Sequence, residues 1–76
     1  MSRLTRPFGM RLTDWADQAV RDLEPYGVAG RLMNESQWQD WGVQFLNNTT
    51  LGRNLPNPYN FSTWREWAER MCEVLA

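Results

Sequence analysis

Apolar and small side chains recur along this chain in three sets with the same internal spacing. The sets are Leu12, Trp15, Ala16, Ala19 and Val20; Trp38, Trp41, Gly42, Phe45 and Leu46; and Trp64, Trp67, Ala68, Met71 and Cys72. Within each set the positions run i, i+3, i+4, i+7 and i+8, which is one face of an α-helix. The first members stand at 12, 38 and 64, so the sets align without a gap at a period of 26 residues. Each copy has an acid at its third position (Asp14, Asp40, Glu66), Trp at its fourth and Ala or Gly at its fifth. An early acid favours the positive end of the helix dipole, and a small residue beside the Trp leaves room for a neighbouring element to approach closely. The pattern predicts an all-α chain with three short amphipathic helices over about 12–24, 34–47 and 62–75. A chance likeness among three ordinary helices in a Trp-rich chain would predict the same elements.

Boundary signals fit these spans. Thr13 is available to cap the first helix, Asn34 with Gln37 forms a capping box for the second, and Thr63 with Glu66 forms one for the third. Met33 and Trp38 occupy hydrophobic-staple positions. Pro25 and Gly27 stop the first helix, while Asn47, Asn48 and Gly52 stop the second. The N-x-S/T triplets that begin at Asn34, Asn47, Asn48 and Asn60 read as caps and loop residues. The connectors at about 25–33 and 47–61 are long for a bundle of this size and predict helices spread over a partner, with a tight mini-bundle as the competing arrangement. Residues 1–76 form a single small helical unit, with 1–11 as a basic N-terminal arm and 53–61 as an extended connector rich in Pro and aromatics. In that connector Pro56 and Pro58 favour a polyproline-like path. It either lies in a groove of another subunit or folds back on its own helix.

Length makes the question of partners acute. A 76-residue chain buries about 4,500 Å² of apolar surface, worth about 110 kcal/mol at ~25 cal/mol/Å², against ~1.5 kcal/mol for each ordered residue. The two sums nearly cancel. With one Cys an internal disulfide is excluded, and with no His a metal site is weakly supported, so partners are the expected supplement. Cys72 stands where the other copies carry Val20 and Leu46, which predicts a buried small hydrophobe instead of a reactive thiol.

Charge and chemistry narrow the function classes. The net charge is −1, with eight basic residues, all Arg, and nine acids. Arg3, Arg6 and Arg11 make the first residues basic, but three scattered charges do not predict nucleic acid as a partner. No apolar run approaches the length of a membrane span, and the opening residues lack the apolar stretch of a signal peptide. Without His or Lys, the usual nucleophile and base pairs cannot be assembled, and the helical carboxylates suit solvated or capping roles. No enzyme activity, cofactor or metal is expected.

The segment Asn54-Leu-Pro-Asn-Pro-Tyr-Asn-Phe-Ser-Thr-Trp-Arg-Glu-Trp-Ala-Glu-Arg-Met-Cys-Glu-Val-Leu75 resembles a Pro-x-Pro, aromatic, Trp-x-x-Trp-Ala cassette of small virion proteins of tailed bacteriophages. The resemblance covers about the last 23 residues, and the two earlier copies lack the Pro-x-Pro lead-in. It implies a structural component of the head, neck or tail. We therefore expect a non-enzymatic assembly protein docked on other virion proteins, several copies in a symmetric assembly being one arrangement. Its expected location is the virion, and the host cytoplasm during assembly. The expected partner-binding residues are Trp38, Trp41, Tyr59, Phe61, Trp64 and Trp67. An intracellular helical adaptor or inhibitor of a host protein is the alternative.

Overall fold

The computed structural model describes residues 4–23, 32–48 and 55–75. Among the described residues there are three α-helices, α1 (Leu12–Asp22), α2 (Trp38–Asn48) and α3 (Trp64–Val74), each of 11 residues. Single 3-10 turns at Glu35–Gln37 and Pro58–Asn60 precede α2 and α3. The helices begin at 12, 38 and 64, the first positions of the three repeats, so the 26-residue period is a period of structure as well as of sequence.

At 11 residues a helix is about 16 Å long and unstable alone in water. These three are held by one another. The radius of gyration is 10.9 Å, close to the ~11 Å of a globular chain of this length. Of the two arrangements open to the sequence, the compact one is formed and the extended one is not. The reason lies at the fourth repeat positions. Trp15, Trp41 and Trp67 all point inward and are buried, as are the fifth-position residues Ala16, Gly42 and Ala68 and the eighth-position residues Ala19, Phe45 and Met71.

Trp67 is the centre of this core. Its ring meets Trp15 edge-on at 5.6 Å between centroids, Trp41 edge-on at 6.4 Å and Trp38 at a tilt at 6.0 Å. Trp41 stacks on Phe45 at 5.0 Å, and Trp15 meets Trp64 at 5.9 Å. Each such pair adds about 0.5–1.5 kcal/mol beyond the area it buries. The two most buried indoles also find hydrogen-bond partners. Trp67 Nε1–H donates to the Pro56 carbonyl at 2.9 Å, and Trp15 Nε1–H donates to the Thr5 carbonyl at 2.8 Å. Each bond pins a non-helical segment to the core while satisfying a buried donor.

Gly42 explains the small fifth position. A Cβ built there would lie 2.9 Å from Pro58 Cγ and 3.3 Å from Trp67 Cη2. The Pro58 ring, itself buried, rests against the bare backbone of α2. Gly42→Ala is therefore expected to be destabilising by about 1 kcal/mol in chemical denaturation, although the swap alone favours an exposed helix by about the same amount. A stabilised Gly42→Ala variant would show that the Pro58 contact is loose.

Helix starts follow the sequence signals in two cases of three. Asn34 Oδ1 accepts from Ser36 N–H at 3.0 Å, capping the turn that leads into α2. Thr63 Oγ1 accepts from Glu66 N–H at 3.4 Å and caps α3. Thr13, however, lies inside α1. The N-cap is Arg11, two residues earlier, and it makes no side-chain capping bond. Met33 is 82% exposed and forms no staple with Trp38. The stop signals Pro25, Gly27 and Gly52 lie outside the described residues.

The N-terminal segment is a strap in this fold, more than the solvated arm its charges suggest. Leu4 and Pro7 are buried. Asp22, at the end of α1, accepts from Thr5 N–H, Thr5 Oγ1–H and Gln18 Nε2–H, each at 2.9 Å. Cys72 is buried as expected, and its thiol donates to the Leu4 and Thr5 carbonyls at 3.8 and 3.6 Å. Residues 4–7 thus bridge α1 and α3. Arg3 lies outside the described residues.

Candidate docking face

The side chains expected to bind a partner fall into two groups. Trp67 is fully buried and Trp41 nearly so, and in the folded chain their rings have almost no surface to offer another protein. Their enrichment reflects the core, because a chain this small uses its largest aromatics to fill its own interior. Trp38, Trp64 and Phe61 pack against the core but keep part of their surface, and Tyr59 is 53% exposed.

The Pro and aromatic connector follows the second of its two expected courses. Residues 55–61 fold back on the chain's own helices, with Pro58 buried against Gly42 and the Pro56 carbonyl bonded to Trp67. Gln39 Nε2–H, from α2, donates to the carbonyls of Phe61 at 3.3 Å and Pro58 at 3.5 Å. Asn57 Oδ1 accepts from Tyr59 N–H at 2.9 Å and shapes the turn that turns Tyr59 outward. Residues 53 and 54 lie outside the described residues.

The most exposed large apolar side chain among the described residues is Phe8, at 91%. It sits on a four-residue turn in which Met10 N–H donates to the Pro7 carbonyl at 3.0 Å, with Gly9 at φ +73°. A Gly in the left-handed region at the third turn position is the signature of a type II turn. Arg65 of α3 grips this turn from both ends: Nη1–H donates to the Pro7 carbonyl at 3.0 Å and Nη2–H to the Met10 carbonyl at 2.8 Å. The guanidinium is itself placed 4.7 Å over the Trp64 ring, a cation–π contact that fixes its plane. Arg6 pairs with Glu69 at 2.8 Å beside it, an exposed bond that orients more than it stabilises.

Sequence reasoning missed Phe8. The signal was present as Pro7-Phe8-Gly9, a turn tripeptide with an aromatic where turn chemistry demands none. The clasp had no local signal, since Arg65 lies more than fifty residues away along the chain.

Beside the clasp runs an apolar groove of about 370 Å³ along the outer side of α3, lined by Phe61, Arg65, Glu66, Glu69, Arg70 and Glu73. Its carbon lining comes from the Phe61 ring and the aliphatic stems of the charged residues. Arg70 and Glu73 are paired at 3.0 Å across i,i+3. What this arrangement can do is present: an aromatic ring held outward on a rigid turn next to a shallow apolar furrow, both tied to Arg65. Among the described residues no helix is long and apolar enough to cross a membrane. No family model matches the chain, and no curated protein or solved structure is similar to it.

Proposed function

We propose that this chain is a non-enzymatic docking protein of a tailed-phage particle, attached to other virion proteins through the face that carries Phe8. One observation carries the docking role. The fold spends two guanidinium hydrogen bonds, a cation–π contact and a positive-φ glycine on holding out a phenyl ring that contributes almost nothing to its own core. A preorganised exposed aromatic flanked by Arg is the composition of an interface hot spot. Tyr59 and the exposed parts of Trp38, Phe61 and Trp64 are further contact residues in this reading. The setting rests on the resemblance of residues 54–75 to the virion cassette.

Mass spectrometry of purified particles tests the proposal. The chain is expected in the particle at a fixed copy number relative to its neighbours, and its absence would overturn the virion setting. The second reading, an intracellular adaptor or inhibitor of a host protein, is favoured by the self-contained aromatic core, which a free-standing domain requires. Finding the chain bound to a host protein in infected cells and missing from particles would decide for it.

A further inference from the structure

We infer that the Phe8 face docks a second copy of this chain, forming a two-fold dimer in which each Phe8 enters the other's α3 groove. This rests on the docking reading and names the partner of that face. Arg65 holds the turn that bears Phe8 and also lines the groove, so knob and furrow lie side by side on one surface. A surface that carries a protrusion next to a matching recess is self-complementary under a two-fold axis between them, the geometry of an isologous interface. At about 370 Å³ the groove has room for a phenyl ring, and Phe61 at its wall offers an aromatic contact.

Charge supplies the second line of argument. Arg6, Arg11 and Arg65 lie at or beside the turn, and three acids, Glu66, Glu69 and Glu73, line the groove together with Arg65 and Arg70. Glu69 and Glu73 are already paired within the chain, with Arg6 and Arg70. Arg11, next to the turn, and Glu66, on the groove wall, have no ion pair among the described residues. In the two-fold arrangement each Arg11 faces the other chain's Glu66, twice per dimer. Opposite charges placed this way fix register and disfavour other partners.

The face is small, so association is weak on its own, with a dissociation constant on the order of 10 μM to 1 mM. Many copies held in one particle would raise the effective concentration into that range. Sedimentation velocity on the purified chain from about 10 μM to about 1 mM covers this window. The wild type is expected to move from monomer to dimer, and Phe8→Ala, which removes an exposed ring and leaves the core intact, to weaken dimerisation at least ~10-fold. Arg11→Glu alone is expected to weaken it too, and the charge reversal Arg11→Glu with Glu66→Arg to restore it.

A wild type that stays monomeric throughout, a Phe8→Ala variant that dimerises equally well, or a double reversal that fails to recover would each overturn the proposal. A wild type that stays monomeric yet pelleted through Phe8 with vesicles of anionic phospholipid would assign the face to a lipid surface instead. Any of these results leaves the docking role in the particle to the particle's own composition, so the two readings fail separately.

Discussion

Trp67→Ala is expected to remove about 4–5 kcal/mol of stability, most of what a domain of this length possesses at ~0.05–0.15 kcal/mol per residue. The fully buried ring touches Trp15, Trp38 and Trp41 and bonds the Pro56 carbonyl, so the truncation empties the junction of all three helices and releases the connector before α3. Little collapse can refill the gap, because the neighbours are themselves rigid aromatics. Urea unfolding should show a midpoint displaced to much lower denaturant with the slope unchanged. Trp67→Phe separates the causes: it keeps an aromatic ring, loses the indole donor and is expected to cost about 2 kcal/mol. A loss below ~2 kcal/mol for Trp67→Ala would mean that the helices are held elsewhere.

Trp15→Ala is expected to cost about 3–4 kcal/mol, somewhat less, and to act in a different place. This ring, also fully buried, holds the Thr5 carbonyl and lies against Trp64 and Trp67. Its removal should loosen residues 4–10 ahead of the rest. Amide exchange at Thr5, bonded to Asp22, and at Met10, bonded to Pro7, should accelerate more than exchange in α2. Uniform acceleration along the chain would show that the strap does not open independently. Because Trp15 and Trp67 are in contact at 5.6 Å, the double variant should depart from the sum of the single losses by more than ~0.5 kcal/mol.

How much of this was readable in advance depends on the range of the interaction. The three amphipathic sets located the three helices, which begin at 12, 38 and 64 against expected starts of about 12, 34 and 62; Thr63 marked the start of α3, while Asn34 caps the 3-10 turn ahead of α2, because periodicity and capping are local. The small fifth position correctly announced a close approach, but not that Pro58 would make it. The compactness was misjudged from connector length, which ignores that three Trp side chains on matching faces can draw distant helices together. The docking residues were the least legible. Trp content alone does not distinguish a ring that fills a core from one that meets a partner, and Trp67, the best candidate by sequence, is the most enclosed. Phe8 owes its exposure to Arg65 and the strap to Asp22 and Trp15, contacts between residues far apart in the chain that no window of residues reveals.

The burial of Cys72 beneath residues 4 and 5 gives the molecule a built-in clock. It is the only sulfhydryl in the chain, and it is sealed where the strap crosses α3. An alkylating reagent can reach it only when the structure around it opens, since the sulfur is fully buried. The labelling rate in buffer therefore counts how often the strap lifts, and its dependence on denaturant tells a local breath, which responds weakly, from global unfolding, which responds steeply. One thiol thus reports the opening of the segment that presents Phe8, with no residue changed.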